Sequence, residues 1–252
     1  MTPHQTADLA SLLHSKDPGK WPEDTVWEVF RHILDKESPL PGLNLALSEY
    51  RTIFQETYAK VAAEHAMCTA RYYRAADGVP LVNPLNLEHL SRLLHIFTRR
   101  LFLAGAPQSL LDCLFVVMKG RCCLNLFYMT QEIDLFFPLH ALGSVIGYGE
   151  FGPFIAVTQN CTIGHNHGHY PSIAGGLWMG PGSSILGNSK VGKNVRVAAN
   201  ALVVDRDVPD DVIVFGVGAD IKFKANDRDN RLMALDKAMV ETSDAASKDL
   251  IG

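Results

Sequence analysis

The chain has 252 residues, 47% of them hydrophobic and 20% charged, which is ample apolar material for one large core or two small ones. Lys and Arg total 23 against 27 Asp and Glu, so a net charge of −4 argues against nucleic acid as the main partner, and the hydrophobic content excludes overall disorder. Five cysteines (Cys68, Cys113, Cys122, Cys123, Cys161) show neither a CxxC motif nor metal-ligand spacing, which predicts reduced thiols in a cytoplasmic protein. The first residues lack a basic region followed by an apolar core, so no secretory signal is expected. Apolar stretches such as Leu110 to Met118 are too short for a membrane span, and no membrane partner is predicted.

Residues 1–130 read as a helical region. Trp21-Pro22-Glu23-Asp24 starts a helix, and Val26, Trp27, Val29, Phe30, Ile33 and Leu34 follow at helical spacing. Leu43 to Met67 gives a second amphipathic pattern, with Leu47, Tyr50, Phe54, Tyr58 and Val61 on one side. Asn83-Pro84 punctuates the chain before Leu87, Leu90, Leu94, Phe97 and Leu101, and Gly105-Ala106-Pro107 ends that helix. A further apolar segment runs from Leu110 to about Met129.

From residue 131 the period changes. Stepping by six from Ile133 reaches Leu139, Val145, Phe151, Val157 and Ile163; a ten-residue step to Ile173 restores the register at Met179, Ile185, Val191, Val197 and Val203. All are large and apolar, an outcome of about one in ten thousand for a register fixed in advance at this composition. A hexad repeat describes a parallel β-helix, in which three short strands close a triangular coil and the repeating side chain points inward. The fold class predicted is α+β: helices, then a β-helix of about four coils over 131–226, then a tail over 227–252 read as a frayed helix or disordered arm. Four extra residues between Ile163 and Ile173 must leave the coil as a loop, which carries His165-Asn166-His167-Gly168-His169-Tyr170-Pro171.

The hexads resemble left-handed β-helix acyltransferases, and the run from Ile133 to Asn226 is similar to serine O-acetyltransferases. The resemblance rests on Leu139-His140-Ala141-Leu142-Gly143, Gln159-Asn160-Cys161-Thr162-Ile163-Gly164, Tyr170-Pro171-Ser172-Ile173 and Ser184-Ile185-Leu186-Gly187-Asn188. Val191-Gly192-Lys193-Asn194-Val195, Val208-Pro209 and Val214-Phe215-Gly216 continue it. The match is to a divergent branch, and it departs from the family in places. Leu139 stands where the family has an Asp before its His, His169-Tyr170 replaces Arg-His, and Gly216-Val217-Gly218-Ala219 replaces a late G-x-P-A motif. The best-known members serve cysteine biosynthesis and dock a C-terminal Ile into the next enzyme; this chain reads Leu250-Ile251-Gly252, and that complex is not carried over.

The resemblance implies acetyl-CoA-dependent acetylation of serine or a serine-like small hydroxyl acceptor, in a homotrimer or dimer of trimers. Transfer from a thioester to an alcohol needs a base, and a neutral imidazole can take the hydroxyl proton and return it to sulfur. His140 matches the family's catalytic His. Asp134, or in reserve Glu132, is expected to orient its second nitrogen. His167, His169 and Tyr170 are expected on the acceptor side. Gly180, Gly182, Ser183, Ala199 and Asn200 occupy the family's donor positions, where small residues let the pantetheine arm approach the backbone, and Lys222, with Lys224, is a candidate for the phosphates. The H-x-H-x-H run alternates in direction on an extended strand, so no metal is expected. The lost Asp before His140 and the presence of Tyr170 keep open a sugar or natural-product O-acetyltransferase, and a non-catalytic β-helix scaffold is a third reading.

Overall fold

The computed structural model describes residues 21–75, 77–238, 240 and 241. The expectations about the chain start and about the last residues of the tail fall in 1–20 and 242–252, outside the described residues. Five helices come first: α1 (Glu23–Glu37), α2 (Leu43–Leu47), α3 (Arg51–Ala66), α4 (Leu87–Leu103) and α5 (Gln108–Arg121). Glu23 and Asp24 sit in the first turn of α1, where the helix dipole favours them, and the six apolar residues picked out by spacing are the six that α1 buries. Trp27, Phe30, Phe54 and Phe97 from α1, α3 and α4 meet in one cluster, with centroids 4.6–6.4 Å apart. The second amphipathic pattern is split, because a 3-10 turn at Ser48–Tyr50 separates α2 from α3. No helix among the described residues is long and apolar enough to cross a membrane.

A left-handed parallel β-helix follows. One face stacks β1 (Leu124–Leu126), β3 (Ser144–Ile146), β6 (Thr162–Gly164), β9 (Ser184–Leu186) and β12 (Leu202–Val204). A second holds β4 (Glu150–Phe151), β7 (Ser172–Ile173) and β10 (Lys190–Val191). The third holds β2 (Phe136–Pro138), β5 (Ile155–Val157), β8 (Leu177–Met179), β11 (Arg196–Val197) and β13 (Val212–Phe215), closed by the antiparallel β14 (Lys222–Ala225). Two faces carry five parallel strands each, so there are about five coils rather than four. The first strand begins at Leu124, earlier than the expected start at 131.

The hexad register holds from Phe151 onward: Val157, Ile163, Ile173, Met179, Ile185, Val191, Val197 and Val203 are all buried in the central column. It slips in the first coil. Pairing of Pro138 with Val157 and of Ile146 with Ile163 makes Pro138 and Ile146 the inward residues. Leu139 turns to a surface cleft instead, and Val145 is 37% exposed. The step from Pro138 to Ile146 is eight residues where later coils use six, and the surplus widens the corner that carries His140.

The tail differs from the expected arm. Asn230 is fully buried, and its amide donates to the carbonyls of Gly176 and Val195, both at 2.9 Å. Leu235 forms a bridge with Cys68, and Thr69 N–H donates to the Ala234 carbonyl at 2.9 Å. Residues 230–235 thus cross the face made by β5 and β8 and fasten to the end of α3.

Candidate active site

His140 sits at the widened corner between β2 and β3 with φ +52°, a left-handed conformation that is uncommon for a residue with a side chain. It borders a cleft of about 650 Å³ between the β-helix and the helical layer. The walls include Tyr72, Leu87, Leu142, Trp178 and Met233, and Glu88 is the carboxylate among the lining residues. The His140 side chain is 88% exposed, so the ring stands at the mouth of the cleft.

Glu88 escaped the sequence reading. Asn86 caps α4, its side chain accepting from the Glu88 and His89 N–H groups at 2.9 and 3.4 Å, which fixes Glu88 in the first turn. One Glu88 oxygen accepts the His140 backbone N–H at 3.2 Å and lies 3.5 Å from His140 Nδ1. The other accepts from the Tyr73 hydroxyl at 3.0 Å. Tyr73 is buried, and burial together with the Glu88 charge pushes its pKa well up, so it stays a donor.

The two acids expected to orient His140 are engaged elsewhere. Asp134 meets Lys60 Nζ at 2.5 Å, and Glu132 takes both a 3.1 Å and a 3.0 Å bond from Arg100. Both help dock the helices on the first coil, as does Glu64, whose carboxylate accepts the Leu135 N–H at 3.0 Å while it pairs with Lys60 and with the buried Arg92 of the helical layer. The geometry does not bring Asp134 or Glu132 to the imidazole.

The residues expected on the acceptor side lie at a different corner. Asn166 and His169 exchange backbone bonds of 3.0 Å, with His167 at φ +47° and Gly168 at +81° forming a two-residue hairpin turn. Asp205 braces it, accepting from Asn188 N–H at 2.7 Å and the Asn166 amide at 2.6 Å, and those bonds hold its carboxyl below the ordinary carboxylate range. His165, His167 and His169 are all exposed, and Tyr170 packs edge-on to Tyr148 at 5.5 Å. None of them lines the His140 cleft. Among the described residues, no group of three or more His, Cys, Asp or Glu side chains is placed to hold a metal.

The residues expected on the donor side form a ridge on the same corner as His140, continued up the stack. Gly182 N–H donates to the Gln159 carbonyl and Asn200 N–H to that of Pro181, so each coil rests on the one below. Gly182 and Asn200 both have positive φ, at +70° and +59°. A Cβ on Gly180 would come within 2.8 Å of the Ala199 nitrogen, and Ser183 is sealed by its bond to the Gly180 carbonyl. The small residues are therefore required by coil stacking as well as compatible with a ligand. Lys222 and Lys224 stand exposed on β14 at the far end.

No protein-family model matches the chain. The serine acetyltransferase of Synechococcus elongatus is 31% identical over 111 residues, 42% of this chain and 44% of that protein. That of Buchnera aphidicola from Schizaphis graminum is 36% identical over 105 residues, 39% and 40% of the two chains. The chain thus spans less than half the length of the curated relatives it matches. Among solved structures, the serine acetyltransferase of Neisseria gonorrhoeae superposes with a TM-score of 0.62 at 25% identity, over 89% of this chain and 86% of that one. A Brucella abortus serine acetyltransferase in complex with coenzyme A gives 0.60 at 20% identity, over 88% of each. In sequence and in fold, the chain is similar to serine acetyltransferases. The structural likeness extends through the helices, well beyond the stretch in which the sequences align.

Proposed function

We propose that this chain is an acetyl-CoA-dependent O-acetyltransferase acting on serine or a serine-like small hydroxyl compound. The observation that carries the reading is His140, an imidazole held at a widened coil corner, at the mouth of a cleft and at the foot of a ridge of small residues. A neutral His140 accepts the acceptor's hydroxyl proton as the oxygen attacks the thioester carbonyl; the C–S bond breaks, and the imidazolium returns the proton to the departing thiolate. Neighbours of this fold have been solved with coenzyme A and with serine, and both ligands are carried to this chain as part of the proposal. The ridge through Gly180, Gly182, Ser183, Ala199 and Asn200 is the proposed donor track, with Lys222 toward the phosphates.

His167, His169 and Tyr170, at the β6–β7 corner, do not line the cleft of their own chain. The proposed homotrimer would set this loop beside a neighbouring copy's His140, covering a ring that is open in one chain. Free thiols at all five cysteines suit the cytoplasm as its setting.

A second reading, a sugar or natural-product O-acetyltransferase, is favoured by the cleft walls at Leu87, Leu139, Leu142 and Trp178, and a short stretch is also similar to a galactoside O-acetyltransferase of Lactococcus lactis, 40% identical over 53 residues. Thiol release from acetyl-CoA across amino-acid and sugar acceptors separates the two. His140→Ala is expected to lower the rate with the preferred acceptor by roughly 10³-fold. Normal turnover in that variant would overturn the assignment.

A further inference from the structure

We propose that Glu88, supplied by the helical layer, is the positioning residue that holds the His140 imidazole with its proton on Nδ1 and its lone pair on Nε2, with Tyr73 steadying Glu88 from behind. Four observations converge on it. Glu88 is the carboxylate among the residues lining the cleft, and its side chain is only 17% exposed. Its Oε1 is 3.5 Å from Nδ1 while it also accepts the backbone N–H of the same histidine at 3.2 Å, so the strained backbone and the ring are tied to one group. Its Oε2 is occupied by the Tyr73 hydroxyl, which leaves the Oε1 lone pairs for His140. Finally, Asp134 and Glu132 are held by Lys60 and Arg100.

The physical consequence is specific. An ionised carboxylate can only accept hydrogen bonds, so it selects the tautomer with Nδ1–H. The same negative charge stabilises the imidazolium formed when Nε2 takes the acceptor's proton. At 3.5 Å the contact is an ion-pair distance rather than a formed hydrogen bond, and a small rotation of an exposed ring closes it. Tyr73 is fixed in turn by packing on the His89 and Phe137 rings at 5.1 and 5.8 Å. A chain of contacts therefore runs from the buried helical core to Nδ1, the nitrogen opposite the one that takes the proton.

The kinetic part of this proposal rests on the acetyl-transfer reading; its tautomer part does not. The test is Glu88→Gln, with Tyr73→Phe as the milder variant, in the full chain. The first measurement is the pair of His140 ring nitrogen shifts by 15N NMR, assigned by comparison with His140→Ala. The native chain is expected to show Nδ1–H as the major form. Glu88→Gln, whose amide can donate to Nδ1, is expected to move the population toward Nε2–H. The second measurement is steady-state kinetics, with kcat falling about 100-fold in Glu88→Gln and KM changing less than about threefold, and with a smaller kcat loss in Tyr73→Phe. Unchanged tautomer populations in both variants would overturn the positioning role even if the chain proves to be an acetyltransferase. A shifted tautomer in a protein that releases no thiol would leave Glu88 as the group that orients His140 and would count against the acetyl-transfer reading instead.

Discussion

The helical layer and the β-helix treat histidine in opposite ways. His65, His89 and His95 lie buried between helices, and their Nε2 atoms have no hydrogen-bond partner among the described residues. Burial, reinforced at His65 and His89 by the Arg92 charge, keeps these rings neutral: His65 falls well below its ordinary pKa, His89 to about 3 and His95 to about 4. The β-helix instead displays His140, His165, His167 and His169 at its corners. The difference teaches that residue type alone does not nominate a proton carrier. Exposure at a cleft with a carboxylate behind the ring separates His140 from rings that merely fill a core and from rings that decorate a loop.

That contrast can be broken by acid. The buried rings have folded pKa values below the unfolded value of about 6.5, so the unfolded chain binds protons that the folded chain refuses. Their contribution to stability is complete above pH 6.5 and declines as pH falls toward 4 and 3. At pH 5 the loss is about 2 kcal/mol for each of His89 and His95, at roughly 1.4 kcal/mol per pH unit. Urea unfolding at pH 7 and pH 5 is expected to show this loss. A His89→Asn, His95→Asn variant that loses as much as the native chain would place the acid sensitivity elsewhere.

The first coil offers a sharper comparison of neighbours. Ile146→Ala, in the central column, is expected to cost about 2–4 kcal/mol, against under about 1 kcal/mol for Val145→Ala on the outside. Equal losses by thermal denaturation would return the register to Val145. At the loop corner, His167→Ala is expected to raise the acceptor KM several-fold with kcat held within about twofold. A loss confined to kcat would move this ring into the chemistry. The smallest effect is expected at Asp134→Asn: its exposed pairing with Lys60 is screened by solvent, and both kcat and stability should change little. A fall in kcat matching that of Glu88→Gln would restore the carboxylate nominated from the sequence.

Much of this architecture was legible in the residues. The six apolar positions of α1 and the column from Phe151 to Val203 follow from periodicity, because each period has one packing solution. The slip at Leu139 and Val145 was hidden, since Pro138 and Ile146 beside them are equally apolar and a two-residue surplus at a corner has no compositional mark. His140 was found through the aligned motif. Glu88 was not, because in sequence it is an ordinary acid in the first turn after an Asn cap, 52 positions from the ring it faces. Only the docking of the helices on the first coil, through Arg100 and Glu132, Lys60 and Asp134, and Glu64 and the Leu135 N–H, turns that first-turn acid into a neighbour of the imidazole.

The packed segment at residues 230–235 sets a lower bound on what a minimal fragment must contain. Met233 and Ala234 form part of the cleft wall, and Asn230 is anchored inside the stack. A protein shortened at residue 226, where the repeats end, would keep every coil and still lose one side of its pocket. Excising the solenoid by its periodicity would therefore yield a sound scaffold around an unroofed cleft.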